Sequence, residues 1–177
     1  MKKAHLFSLA ILLLSATLFT ACKKSSSGSS STTYFVKFKL DGVQKEYKGI
    51  PNFTTVTLPS SPVIYSLAVQ ASLATSVALK DHIAINANDI ATIATGKTYK
   101  NQDAGGTIQA VLMYYDNAGN AYSSVMVNPE SINDAVITFS EVTSTYVSGT
   151  FTGKVAAVSG GTTTYTITEG SFKVPKL

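Results

Sequence analysis

The chain has 177 residues, 45% hydrophobic and 14% charged, enough for one domain with its own core and too apolar for a disordered chain. Its formal charge of +4 does not point to nucleic acid: four lysines lie within the first 24 residues, and from Thr33 onward ten lysines balance ten acidic residues. Every basic residue is Lys, and the lack of Arg, the residue that grips phosphate by two hydrogen bonds, counts against phosphate clamps and polyanion sites too.

Met1-Lys2-Lys3 opens the chain, an apolar stretch runs from Ala4 to Ala21, and Cys22, Lys23, Lys24 and a serine run follow. A membrane-spanning helix needs roughly 20 mostly apolar residues. This run is broken by Ser8, Ser15, Thr17 and Thr20, and reads as the apolar region of a secretion signal. Leu18-Phe19-Thr20-Ala21-Cys22 has the layout of a bacterial lipoprotein cleavage site, with Phe19 where Leu is usual. Ordinary cleavage after Ala21 would place bulky Phe19 where a small residue is required. Residues 1–21 are therefore expected to be a lipoprotein signal peptide, and Cys22 the acylated, palmitate-bearing N-terminus. Two or more acyl chains anchor a protein stably, and Lys23 and Lys24 would each add about 1 kcal/mol at an anionic surface. No Asp follows Cys22, so the outer membrane is the expected address, in either leaflet.

Cys22 and the polar Ser/Gly run after it (residues 22–33) form a tether; its eleven residues from Lys23 span roughly 18 Å root-mean-square. Residues 34–177 are then one domain without cysteine, hence without a disulfide, a thiolate zinc site or a thiol nucleophile.

From Tyr34 the apolar period is two. Tyr34, Val36, Phe38 and Leu40 share a face, Asp41-Gly42 is a two-residue hairpin loop, and residues 43–47 return. Lys37, Lys39, Lys45 and Lys48 are assigned to the outer face, guarding an edge strand or meeting lipid headgroups. Val63, Tyr65, Leu67, Val69, Ala71 and Leu73 alternate through the next strand. Residues 76–88 hold another, with Ile83 and Ile85 inward. Residues 89–95 suggest a helical turn, and 101–106 a loop. Residues 107–115 and 121–127 predict a hairpin, and 136–142, 146–158 and 163–174 a closing meander. These elements specify an all-β domain of about 8–10 strands, an antiparallel β-sandwich or, alternatively, a lipocalin-like β-barrel.

The leader, the serine tether and the opening strand ending in Asp41-Gly42 resemble small uncharacterised lipoproteins of the Bacteroidetes type. So does the closing segment: Val136-Ile137-Thr138-Phe139, then Val147-Ser148-Gly149-Thr150-Phe151-Thr152-Gly153, then Thr166-Ile167-Thr168-Glu169-Gly170-Ser171-Phe172-Lys173-Val174-Pro175. The resemblance covers the first ~15 residues of the domain and roughly its last 40. It implies an all-β fold and an anchored, secreted life; that family has no assigned activity, so no catalytic residue is carried over. In the closing pattern, Gly149 and Gly153 suit a bulge or a close backbone approach, and Gly170 a bend.

Chemistry-bearing residues are sparse. His82 is the one histidine after the leader, too few for a triad or a multi-histidine metal site. Asp81, Asp89, Asp103, Asp116, Glu130, Asp134, Glu141 and Glu169 are scattered among apparent turns, where Asp has a structural use, and no Trp offers a sugar platform. Asn86, Asn88 and Asp89, or Asp116, Asn117 and Asn120, carry calcium-type oxygens, yet neither set has the spacing of a calcium loop, and Asx-turns explain them. Tyr114, Tyr115 and Tyr122 cluster on one hairpin; adjacent Tyr114 and Tyr115 must point to opposite faces, so one is a candidate sugar-binding ring. The expectation is a membrane-anchored envelope lipoprotein, not an enzyme, with no cofactor or metal. It would bind a glycan or an outer-membrane protein partner, with membrane lipid as its other contact through Cys22. The alternatives are an assembly subunit of an outer-membrane complex and a carrier of an apolar ligand.

Overall fold

The computed structural model describes residues 33–48, 51–59, 62–73, 79–101, 109–127 and 134–177. The leader, Cys22 and the tether up to residue 32, and the sequence-predicted loop from residue 102, lie outside the described residues. Residues Thr33–Leu177 cluster as one compact unit.

The domain is all-β and antiparallel, as its periodicity requires. Its strands are β1 (Phe35–Leu40), β2 (Val43–Tyr47), β3 (Asn52–Leu58), β4 (Ile64–Ser72), β5 (His82–Asp89), β6 (Thr98–Lys100), β7 (Ala110–Tyr115), β8 (Ala121–Ser123), β9 (Ala135–Val142), β10 (Tyr146–Ala157) and β11 (Thr164–Pro175). They form one sheet in the order β2-β1-β11-β10-β8-β7-β5-β4-β3, curled into a half-barrel. β10 is long enough to divide one of its edges: residues from Val147 to Gly153 pair with β9, which carries β6, while Ala156 and Ala157 pair with β8. At the far side Lys176 bridges Phe53 in parallel, bringing the strand order partly back upon itself.

Asp41 and Gly42 take φ of 47° and 82°, both left-handed, the backbone of a two-residue turn whose twist matches its strands. Val36 and Phe38 are fully buried and Leu40 nearly so. The same turn fixes Phe38 opposite Lys45, and residues directly opposite share a face. Lys45 therefore stands on the inner side with Phe38, not on the outer face with Lys37 and Lys39. This corrects the sequence assignment, which ignored the parity that a two-residue loop imposes. The basic outer face shrinks further, because Lys39 pairs with Glu169 at 2.7 Å and Lys48 with Glu46 at 3.1 Å.

The core is the concave face. Phe38, Phe53, Leu67, Val69, Ile83, Ile85, Leu112, Ile137, Phe139, Phe151, Phe172 and Val174 are all buried, with Ile83 and Ile85 inward as their alternation requires. Phe38, Phe151, Phe172, Phe139 and Tyr99 form a chain of tilted and edge-on ring contacts with centroids 5.8–6.3 Å apart. Two glycines make room for it. A Cβ on Gly149 would run into the Thr138 carbonyl and the Phe172 ring, and one on Gly170 into the Phe151 carbonyl and ring. One extra residue in β11 shifts its register against both β1 and β10, and Glu169 there adopts φ 52°.

Three local expectations change. The strand expected over 121–127 stops at Ser123, and Ser124–Met126 is a turn of 3-10 helix. The Ser124 hydroxyl accepts the Leu112 N–H at 3.1 Å, so a side chain replaces the ladder. Residues 89–95 hold no helical turn: Asp89 continues β5 and its side chain takes the Ala91 N–H at 3.2 Å, while the Gly96 N–H goes to the Phe139 carbonyl at 2.7 Å. β3 and β6 were not anticipated. In β3 the apolar residues fall on both faces, Phe53 in, Val56 and Leu58 out, so no period of two is visible; β6 is three residues long.

Candidate functional site

One end of the concave face is filled by tyrosines around Asp81. Tyr47 donates to Asp81 Oδ1 at 2.7 Å, Tyr114 to the same oxygen at 3.2 Å, and Lys45 Nζ lies 3.0 Å from it. Asp81 precedes β5 with φ 42°, and this left-handed turn swings its carboxylate inward. Burial first, and the Asp81 charge second, push the Tyr47 and Tyr114 hydroxyls far up, so both stay protonated and donate. Tyr114 stacks on Tyr122 with ring centroids 6.1 Å apart, and Tyr165 meets Tyr122 edge-on at 4.8 Å. Burial, with hydrogen bonds to Tyr165 and Asp116, pushes the Tyr122 hydroxyl up to about 12.

The three tyrosines singled out in the sequence thus separate. Tyr114 and Tyr122 are directly paired in register and face inward, 3% and 6% exposed. Their ring faces are taken by one another and by Tyr165, which leaves no platform for a sugar. Tyr115 points the other way, as its neighbour's direction dictates, and meets the His82 ring edge-on at 5.8 Å. His82 is buried to 9% exposure, and burial lowers its pKa, so it is a neutral packing residue.

The two carboxylates among the candidate calcium ligands, Asp116 and Asp89, are already engaged. Asp116 Oδ1 accepts the N–H groups of Ala118 and Asn120 at 2.8 and 2.9 Å; its Oδ2 accepts Asn120 Nδ2 at 2.8 Å and the Tyr122 hydroxyl at 3.1 Å. Asp89 is held by Lys97 and the Ala91 N–H. Among the described residues no three His, Cys, Asp or Glu side chains come together to hold a metal ion.

A half-open cleft of about 320 Å³ lies elsewhere on the domain and separates the β3–β4 ribbon from the end of β9 and the loop after β5. Leu67, Ile93 and Val142 supply its apolar lining. Thr55, Thr57, Tyr65 and Thr92 supply hydroxyls, and Val56 and Ser66, which face outward, border it through their backbone. Thr55 and Thr57 face inward because they sit opposite Leu67 and Tyr65. The volume is at the lower end of the range for small-ligand pockets, roughly 300–1,000 Å³. None of these residues was named as a site residue from the sequence, where Tyr65 and Leu67 read only as strand positions, because hydroxyl and aliphatic side chains carry no motif. No family model, no curated protein and no solved structure matches the chain.

Proposed function

We propose that this chain is a lipid-anchored envelope protein of the outer membrane, acylated at Cys22, whose β domain is a non-enzymatic binding module. The ligand enters the cleft between β3–β4 and β9, and its first class is a glycan. The cleft carries this reading. An apolar floor beside Tyr65, rimmed by the Thr55, Thr57 and Thr92 hydroxyls, suits a ligand with an apolar face and a hydroxyl-bearing edge, which is the chemistry of a sugar ring. The address rests on the leader and on the resemblance of the opening and closing segments to small Bacteroidetes-type lipoproteins. A protein partner is the second reading. It is favoured by Val56 and Leu58, which stand 51% and 45% exposed beside the cleft.

The test is a binding screen of residues 33–177, without leader and tether, against a broad glycan panel. Saturable, selective binding supports the glycan reading. A folded domain that binds nothing on the panel moves the function to a protein partner or an assembly role.

A further inference from the structure

The main path of the sheet ends in two strands, β2 and β3, and their residues differ in kind. β2 carries Lys45 and Glu46, with Lys48 just beyond, and charge along an edge discourages a further strand. β3 reads Asn-Phe-Thr-Thr-Val-Thr-Leu, and no Asp, Glu, Lys, Arg or His occurs anywhere between residues 49 and 79. Among the described residues its strand neighbour is β4 alone. On the other side Lys176 bridges Phe53, and the Leu177 N–H donates to the Phe53 carbonyl at 3.2 Å. That contact reaches only the start of the strand. Thr55, Val56, Thr57 and Leu58 are all exposed, those of the inner face and those of the outer face alike. A strand exposed on both faces, uncharged and rich in β-branched residues is built to be paired.

We propose that β3 pairs antiparallel with β3 of a second copy of this chain, joining two domains into one continuous sheet. A second copy fits better than an unrelated strand because the segment is complementary to its own image. With Val56 on the twofold axis, Val56 meets Val56 and Thr55 meets Thr57, both favourable cross-strand pairs. A neutral segment also places no charge at the twofold axis. A twofold axis perpendicular to the sheet keeps both concave faces on the same side. Thr55 and Thr57 line the cleft, so the two clefts open side by side and engage a repeating ligand twice. The pairing itself does not rest on what the cleft binds.

Sedimentation equilibrium on residues 33–177 across the micromolar range tests it. Expected is the mass of two chains for the wild type and for Gln44→Lys, a control on the β2 edge, and the mass of one chain for Val56→Lys and Thr55→Lys. All the substituted side chains are exposed, and circular dichroism melts check that each variant is folded. A wild type with the mass of one chain throughout, an assembly larger than two, or a dimer that survives both β3 substitutions overturns the proposal. The wild-type mass alone can do so, whatever the variants' folding. Glycan binding by a domain of single-chain mass would leave the ligand reading standing.

Discussion

Asp116 organises the turn after β7 by accepting four hydrogen bonds, and its chemistry sets how the fold responds to acid. The Asn120 side chain first, then the backbone N–H groups and Tyr122, outweigh desolvation and hold its carboxyl below the usual range. At Asp89 burial pushes upward, but the hydrogen bonds from Lys97 and Ala91 win, and the net shift is also downward. Carboxyls with folded pKa values below the unfolded value of about 3.9 give stability that is complete above that pH and lost as pH falls through the folded values. His82 acts earlier. Burial lowers its pKa, so below the unfolded value of about 6.5 the unfolded chain binds the extra proton and stability declines. Thermal melts from pH 7 to pH 3 should therefore show two declines, the first removed by His82→Gln and the second reduced by Asp116→Asn. A midpoint flat between pH 7 and 5 would contradict the buried, neutral histidine. At this scale the sequence was partly legible. The Asx-turn reading of Asp116 was available from its neighbours. The inward Lys45 was available from loop parity alone, but its meeting with Asp81 needs the register of strands 36 residues apart.

Among the elements, the closing meander was the most legible and β3 the least. β9, β10 and β11 alternate cleanly, and their glycines stand where rings and carbonyls crowd the backbone. β10 is the hub of the sheet, since β11 runs along one edge and β9 and β8 share the other. Gly149→Ala should therefore destabilise the domain by about 2–3 kcal/mol, the usual cost of overpacking a filled core. Urea denaturation of residues 33–177 measures it, and a change below about 0.5 kcal/mol, the scatter of ordinary surface substitutions, would mean that β9 and β10 can yield. β3 escaped the sequence because it lies at the sheet margin, where the apolar pattern need not follow one face. The cleft escaped with it. Its walls come from β3, β4, β9 and the loop after β5, segments brought together only by the curl of the sheet.

For the whole molecule, the proposed function divides the tasks, with membrane attachment at Cys22 and recognition in the β domain. Expressed with its leader in a bacterial host, the full chain should take up labelled palmitate and partition with membranes, and Cys22→Ser should abolish both. Uptake that persists in Cys22→Ser would remove the anchor from the account and leave the domain's binding role untouched.

The most direct measurement is calorimetric titration of residues 33–177 with the glycan selected from the panel, comparing the wild type with Thr92→Trp and Tyr115→Ala. Thr92 is an exposed rim residue of the cleft, and a Trp there fills it without entering the core. The expected result is saturable binding that Thr92→Trp weakens at least tenfold, equivalent to about 1.4 kcal/mol, and that Tyr115→Ala leaves within twofold. Binding insensitive to Thr92→Trp but lost in Tyr115→Ala would place the ligand on the outer face of β7 and contradict the cleft as the recognition site.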